Sequence, residues 1–348
     1  MAKICYNGLR DSYKKENLMQ TFLSTLNPVL TMFICIAVGY VLRQTNILSR
    51  DSGKVIAKLV TWVFAPALSF STMAKNFTVA SLTTHAVNIG FSCLTLSVSM
   101  GIAILLSRVF VKEPSPERGI YQYALTFSNF GYMADPMILN MFGDGALAYY
   151  KLFTLPASIM VYVWGISVLV PKGTDRGSVL KKIANAPTIA MFLGMIVGIT
   201  GLGSHLPSFM TSTLDSLKVC MGPMAMLVAG VTVANYSLPR MLRNKKVYVA
   251  SILRLLVLPC FLVALIFGAK ELVNLIFAVE IDNLVIFLVF FFTAMSLGLN
   301  TVVFPEAYGG NPETGASMAL ISNTLGVITI PLLYMLMTVI FGSFPLAT

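Results

Sequence analysis

Long apolar runs alternate with short polar segments along nearly the whole chain. The runs are about 20 residues or longer, which is the length an α-helix needs to cross a hydrocarbon layer of about 30 Å. The pattern predicts ten membrane-spanning helices, with approximate limits 22–43, 55–75, 82–108, 119–142, 147–170, 187–204, 211–235, 246–269, 283–306 and 314–341. Alternating segments of about ten residues, which are typical of membrane β-barrels, are not seen. We therefore expect an all-α integral membrane protein.

The composition supports this prediction and excludes several classes of protein. The chain is 57% hydrophobic and 11% charged, whereas about 25% of the residues of a soluble domain are charged. In a membrane protein, a net charge of +10 indicates basic loops and not nucleic-acid binding. The five Cys residues are scattered and resemble small apolar residues, so no metal or disulfide is expected. Because enzyme motifs are absent and the loops are short, we expect neither catalysis nor a cofactor.

The distribution of basic residues predicts the orientation of the chain. Fifteen Lys and Arg residues lie in the loops after spans 1, 3, 5 and 7, and only three, Lys75, Lys151 and Lys270, lie after even-numbered spans. Basic loops stay in the cytoplasm, so both termini are predicted to face outside. Residues 1–21 form a polar extramembrane tail in this prediction, although the basic residues of the tail favour the opposite orientation.

An internal repeat organises the ten spans. Three positions recur at a constant offset of 167 residues, namely Gly131 with Gly298, Gly143 with Gly310 and Asp144 with Asn311. Each half holds five spans, and an odd number forces the second half to enter the membrane from the opposite side. We predict two inverted five-helix repeats, residues 22–170 and 187–348, joined by a cytoplasmic loop at 171–186.

Two polar stretches interrupt the apolar pattern at corresponding places in the repeats. They are "NFGYMADPMILNMFGDG" (129–145) in span 4 and "SLGLNTVVFPEAYGG" (296–310) at the end of span 9. Pro136 and Pro305 each remove a backbone donor, and a broken helix is tolerated at membrane depth only inside protein or beside a wet cavity. The two breaks therefore predict a binding site near the midplane. Proline kinks and Asn-mediated helix packing are the alternative.

Charged residues within the spans are the next candidates. A carboxylate in a span is costly and usually has a partner, so Asp135 can bind a proton or Na⁺, or pair with Arg254 of span 8. Asp215 and Lys218 are three residues apart near the start of span 7, which predicts a local ion pair. Pro66 and Pro223 are predicted to kink spans 2 and 7 at equivalent places.

Several motifs resemble those of the auxin efflux carrier family. They are "GYVLRQTNILSRDSGKVIAKLVTWVFAPALSF" (39–70), "SNFGYMADPMILNMFG" (128–143), "MGPMAMLVAGVTVA" (221–234) and "VVFPEAYGGNPETGASMALISNTLGVITIPLL" (302–333). The resemblance implies ten helices in which broken helices 4 and 9 cross, and a mobile domain of spans 3–5 and 8–10. That domain would move against a scaffold of spans 1, 2, 6 and 7. It also implies a homodimer in the inner membrane of a bacterium, and the residue before the span 4 proline, Asp135, departs from the family pattern.

By this resemblance, the substrate would be a small organic acid bound at the crossover and carried by elevator-type alternating access. The candidate substrate-binding residues are Asn129, Gly131, Tyr132, Asp135, Pro136, Asn300, Thr301 and Pro305. Coupling to H⁺ or Na⁺ is left open. A Na⁺-coupled symporter of the bile-acid carrier type is one alternative, and a transporter-like membrane receptor or sensor is another. The short cytoplasmic loops speak against the receptor.

Overall fold

α-Helices make up the secondary structure of the part of the chain that the computed structural model describes, namely residues 2–169, 185–298, 300–308 and 312–345. No β-strand occurs within those residues, in agreement with the prediction of an all-α protein. Side chains are described for the same residues except 2–17, 80, 82, 83 and 306–308. Most of the predicted loop at 171–186, together with Gly310 and Asn311 of the repeat, lies outside the described residues.

The first half of the chain contains eight described helices. They are α1 (Ala2–Gln44), α2 (Ser52–Leu59), α3 (Ala65–Asn76), α4 (Leu82–Phe110), α5 (Pro116–Thr126), α6 (Asp135–Phe153), α7 (Leu155–Met160) and α8 (Ile166–Leu169). Wide π-helical turns lie at Val60–Phe64, Phe130–Ala134 and Val161–Gly165, and a short 3₁₀ turn at Val79–Ser81.

The second half also contains eight described helices. Its described helices are α9 (Ala186–Ile199), α10 (Ser208–Val233), α11 (Leu238–Arg243), α12 (Lys245–Ile252), α13 (Leu258–Phe277), α14 (Leu284–Thr293), α15 (Asn300–Tyr308) and α16 (Pro312–Phe341). A π-helical turn at Leu253–Val257 joins α12 to α13, and a 3₁₀ turn lies at Leu202–His205. Asn185 caps α9 by accepting a hydrogen bond from the Thr188 N–H at 3.1 Å, as expected at a helix N-terminus.

Proline accounts for three of the described π-helical turns. Pro66, Pro136 and Pro259 each lie two residues beyond the end of such a turn. A proline lacks the N–H that would bond the carbonyl four residues earlier, and its ring crowds that carbonyl, so the preceding turn widens. The predicted distortion at Pro66 is therefore present. Its repeat counterpart, Pro223, lies within the continuous helix α10.

Six helical segments are long and apolar enough to cross a membrane, namely Leu18–Gln44, Ser52–Asn76, Thr84–Phe110, Ser208–Val233, Lys245–Phe277 and Pro312–Phe341. The segments Pro116–Phe153 and Leu155–Leu169, bent by 50° relative to each other, make a possible seventh, and α9 and α14 are shorter apolar helices. These spans make the chain a multi-pass membrane protein. The finer count of ten spans and the inverted layout stay predictions.

Two boundaries differ from those predicted. Helix α1 begins at Ala2, so the residues predicted as a polar tail are helical. Helix α14 ends at Thr293, well before the predicted end of span 9 at residue 306, and the chain resumes as α15 at Asn300. Every described residue of α14 is buried, which is expected of a helix that is apolar on all sides and packed within protein.

The chain reverses direction at Gly143, inside the segment assigned to α6. Gly143 has φ +79° and ψ −175°, a conformation that glycine adopts readily and other residues avoid. Asp135 and Lys151, eight residues to either side, form an ion pair. In an uninterrupted helix they would be about 24 Å apart. The contact therefore shows that residues 135–142 and 144–153 are two arms of a helical hairpin.

Helices from both halves pack into one group. Helix α1 packs along α10, α3 packs along α9, and α10 also contacts α3. These helices correspond to the predicted spans 1, 2, 6 and 7. Outside this group, α4 packs on α5 and α6, and α12 packs on α16. Helix α1 also contacts α16, so the group is joined to the rest of the molecule.

An ion-pair cluster, which we call the clamp, connects this group to the hairpin. The Lys218 ammonium of α10 lies 2.8 Å from the Asp144 carboxylate, which directly follows the hairpin turn. The Lys218 ammonium also pairs with Asp215 at 3.1 Å, as predicted. Asp215 pairs in turn with Lys75, near the end of α3, at 3.0 Å. The Lys218 side chain is 9% exposed, so water screens its pairs only partly.

The clamp can be tested with a double-mutant cycle. We expect Lys218→Met and Asp144→Asn each to lower the melting temperature of the purified protein in detergent. The stability lost in the double variant should be smaller than the sum of the losses in the two single variants, by a coupling free energy on the order of 1–3 kcal/mol. The exposed pair of Lys54 and Asp51, whose side chains are 70% and 76% exposed, is the control and should show almost no coupling. Additive effects at Lys218 and Asp144 would contradict the clamp.

Candidate functional site at the helix crossover

Two helix breaks contact each other, and we call the place where they meet the crossover. In the first, α5 ends at Thr126, Phe127 is extended (φ −110°, ψ 132°) and helical structure resumes at Phe130. In the second, α14 ends at Thr293 and α15 begins at Asn300. Each predicted polar stretch therefore contains or adjoins a break.

The prolines lie beyond the breaks and not at them, which corrects the prediction. Pro136 is in the first turn of α6, and Pro305 is inside α15. Helical structure already begins at Phe130, so the missing N–H of Pro136 widens the turn before it and does not cause the break. The unwound segments contain polar and small residues, including Ser128, Asn129 and Gly298.

The backbones of the two breaks bond to each other. The Asn129 N–H donates to the Ser296 carbonyl at 2.8 Å, and the Ser128 hydroxyl donates to the Phe292 carbonyl at 2.5 Å. Free backbone groups at membrane depth must find partners inside the protein. These two hydrogen bonds give groups of the first break acceptors on the second segment, and they hold the two segments together.

Helix α16 supports the second break from behind. The Ser296 hydroxyl donates to the Asn323 side-chain carbonyl at 2.7 Å, and the Leu297 N–H donates to the Ser322 hydroxyl at 3.0 Å. The Asn323 amide donates in turn to the Ala319 carbonyl at 2.7 Å. Asn323, for which the sequence suggested helix packing, thus holds the crossover in place.

A close approach at Gly298 brings the two breaks into contact. A methyl group added at Gly298 would lie 3.0 Å from the Asn129 side-chain oxygen, which is closer than an ordinary van der Waals contact. The Asn129 side chain is fixed nearby through the backbone bond to Ser296. A methyl group at this position would therefore displace the Asn129 amide by a few tenths of an ångström.

A cavity of about 140 Å³ lies at the crossover. Five of the eight predicted residues line it, namely Asn129, Gly131, Tyr132, Asp135 and Asn300. The other three do not line it: Pro136, Thr301 and Pro305 are buried in packing. Thr301 donates from its hydroxyl to the Gly298 carbonyl at 3.2 Å. A direct role in substrate binding thus stays a prediction for the five residues that line the cavity.

Helix ends and amides surround this cavity. Phe130, Gly131 and Tyr132 form the first turn after the first break, where backbone N–H groups have no intrahelical acceptor and favour an anion. The Asn300 amide donates to the Tyr123 hydroxyl at 2.8 Å, which fixes the orientation of the amide beside the cavity. Ala65 and Met221, from α3 and α10, form the facing wall.

Asp135 and Lys151 provide the charges of the cavity. Both line it, and their side chains are 1% and 14% exposed respectively. No further hydrogen-bond donor contacts the Asp135 carboxylate among the described residues. The prediction of a pair with Arg254 is wrong, because the reversal at Gly143 brings Lys151 to Asp135. Lys151 lies in helix α6, whereas the count of basic residues had placed it in a loop after an even-numbered span.

Arg254 has a different position. It is 3% exposed, and its guanidinium donates to the Met295 carbonyl in the second break at 3.5 Å. No carboxylate pairs with it among the described residues. The cation thus lies at the carboxyl end of α14, where a helix dipole favours positive charge.

Lys151, Tyr123 and Tyr162 are among the residues of the cavity that sequence reasoning missed. One signal could have found Lys151. Asp135 and Lys151 are equally far from Gly143, and a turn at that glycine would place them side by side. The tyrosines carry no such signal, because aromatic residues are common in membrane helices.

Three neighbouring cavities lie in a row between the crossover and a basic surface. A second cavity of about 210 Å³ shares Tyr132, Tyr162 and Asn300 with the first. A third, of about 630 Å³, shares Ala57, Thr61, Val228 and Val303 with the second. The third cavity, which we call the mouth, is lined by Arg50, Lys54, Lys58 and Asp51 among others.

The mouth and the clamp lie on opposite sides of the molecule. Lys54 is near the start of α2 and Lys75 is near the end of α3, about 31 Å apart along a helical rise of 1.5 Å per residue. The row of cavities therefore leads from the crossover toward the mouth, while ion pairs join the helices on the other side.

Comparison with known proteins identifies the family. A family model described as membrane transport protein matches residues 24–178 and 176–334. The chain belongs to this family, which is that of the auxin efflux carriers. The resemblance stated from the motifs is thereby confirmed.

Similar proteins occur in archaea and plants. An uncharacterized transporter of Methanocaldococcus jannaschii is 26% identical over 316 residues, which cover 88% of this chain and 97% of that protein. Protein PIN-LIKES 1 of Arabidopsis thaliana is 28% identical over 137 residues, covering 38% of this chain and 28% of that protein. This chain is thus a membrane transporter of the auxin efflux carrier family.

The contact at Gly298 gives a test of the crossover geometry. In this transporter, Gly298→Ala should displace the Asn129 amide and weaken ligand binding about tenfold, with a smaller effect on the melting temperature. Gly101→Ala is the control, since a methyl group there would meet no atom within 4 Å. Ligand affinity measured by thermal shift compares the two. Equal affinity in both variants would show that the Asn129 amide is not part of the site.

Proposed function

We propose that the protein is a secondary transporter that moves a small organic anion, a carboxylate, across the membrane by elevator-type alternating access. The observation that carries this proposal is the composition of the crossover cavity. Lys151, the amides of Asn129 and Asn300, and the helix N-terminus at Phe130–Tyr132 all face one small space. Each of these groups donates hydrogen bonds to an anion.

The size of the cavity favours a small substrate. Pockets for drug-sized ligands are about 300–1,000 Å³, whereas this cavity is about 140 Å³. A molecule of a few carbon atoms with one or two carboxylates fits such a space. The basic mouth at Arg50, Lys54 and Lys58 would raise the local concentration of such anions.

The packing of the helices supports an elevator. Helices α1, α3, α9 and α10 pack together and form one wall of the cavity through Ala65 and Met221. The crossover, the hairpin and Lys151 form the other wall. Movement of the second wall along the first would carry the anion from the mouth toward the side of the clamp. The Asp144–Lys218 contact would have to break during this movement.

The orientation of the protein follows from the basic loops. If they lie in the cytoplasm, the mouth opens to the cytoplasm and both termini face outside. We further propose the plasma membrane as the location and a homodimer as the assembly, by the resemblance to the family.

The substrate can be found by a thermal-shift screen of mono- and dicarboxylates. Flux of the best ligand into proteoliposomes then tests the function. We expect Asn129→Ala and Asn300→Ala each to weaken binding about tenfold or more, since a hydrogen bond to a charged group contributes about 1.5–3 kcal/mol. Asn27→Ala, at an exposed position of α1 outside the cavity, is the control. If no organic acid is transported, or the three variants behave alike, the proposal fails.

A further inference from the structure

The Asp135–Lys151 pair lies where the proposed substrate must bind. Both side chains line the crossover cavity, and Lys151 is the only cationic side chain among the described residues that line it. Its ammonium is already occupied by the Asp135 carboxylate. A substrate carboxylate that binds Lys151 must therefore compete with Asp135 for the same cation.

We propose that this competition couples transport to protons. When Asp135 takes up a proton, Lys151 is released to bind the substrate carboxylate, and the proton and the anion cross the membrane together. The proposal rests on the proposed function and adds the coupled ion. One O–H bond forms on Asp135 as the substrate binds, and the same bond breaks when the substrate leaves on the other side.

Charge explains why the two events would be linked. The empty site holds one carboxylate and one ammonium and is neutral. The loaded site holds a neutral acid, an ammonium and a substrate carboxylate, and it is neutral again. Substrate without the proton leaves one uncompensated negative charge, and the proton without substrate leaves one positive charge. The carboxyl end of α14 compensates the separate charge of Arg254 in every form. A further uncompensated charge inside a membrane costs several kcal/mol, so only the two forms in which the cavity itself is neutral would cross.

Few other titratable or charged groups lie near Asp135 that could take up the coupled proton. Lys151 and Tyr150 face it from the second arm of the hairpin. Tyr132 and Tyr162 line the same cavity. Arg254 does not line the cavity, and its guanidinium donates to the Met295 carbonyl at the second break. On the facing wall, Ala65 and Met221 carry no charge.

The first experiment uses the wild-type protein. Proteoliposomes that enclose a pH-sensitive dye receive an inward gradient of a transported monocarboxylate. We expect one proton to enter with each anion, and a membrane potential imposed with K⁺ and valinomycin to leave the rate unchanged. Organic acids also leak through lipid in their neutral form. Protein-free liposomes and the variant Asp135→Asn/Lys151→Met, which lacks both charges, therefore supply the background.

The second experiment uses the variant Asp135→Asn, which imitates the protonated carboxyl group. Its affinity for the substrate should not change between pH 5 and pH 8, whereas that of the wild type should fall at least tenfold. It should exchange labelled for unlabelled substrate but lose net uptake, because its empty form carries a positive charge. Glu271→Gln, an acid paired with Lys270 outside the cavity, is the matched control and should behave like the wild type.

The outcomes separate the two proposals. Anion flux without proton movement, flux driven by a Na⁺ gradient, or unchanged pH dependence in Asp135→Asn would overturn proton coupling and leave the anion carrier in place. Absence of flux for every organic acid would overturn the carrier itself. If Asp135→Asn does not fold, the proton measurement on the wild type decides alone.

Discussion

Unpaired backbone groups cannot remain inside a membrane, and this constraint determines the centre of the molecule. Each break in a helix frees N–H and carbonyl groups that lipid cannot satisfy. Here the first break bonds to the second through the Asn129 N–H and the Ser296 carbonyl. Helix α16 gives the Leu297 N–H a partner in Ser322 and holds the Ser296 hydroxyl through Asn323. The small cavity beside them, with its helix N-terminus and amides, is a direct result of this pairing.

The reversal at Gly143 adds charge to that cavity. It returns the chain along itself and sets Lys151 against Asp135, so that a pair of opposite charges lines the cavity. Such a pair is costly to bury and contributes little to stability. Its position beside the amides is better explained by function, since the ammonium can exchange a protein carboxylate for that of a substrate. The residue after the glycine, Asp144, joins the clamp. One turn thus links the binding site to a contact on the far side of the molecule.

Much of the fold and part of the crossover cavity could be predicted from the sequence. Hydrophobic periodicity is local, so the apolar helices and the polar stretches around Asn129 and Asn300 were found from it. The positions of the breaks were not, because Pro136 and Pro305 mark the helix that follows a break and not the break itself. Asp135 was recognised as unusual, but Arg254 was the only side chain considered as its partner, beside a bound proton or Na⁺. Pairing across a turn depends on the conformation of one glycine, and a pattern of residue types does not contain that conformation. Tyr123 and Tyr162 are brought to the cavity by tertiary packing, which a pattern of residue types does not show.

A structure determined with a transported organic acid tests the central claim most directly, namely that the anion binds at the crossover through Lys151. The account predicts density for the acid between Lys151 and the amides of Asn129 and Asn300, with Lys151 separated from Asp135. If the acid binds elsewhere, or if Lys151 still contacts Asp135 with the acid in the cavity, the account is contradicted.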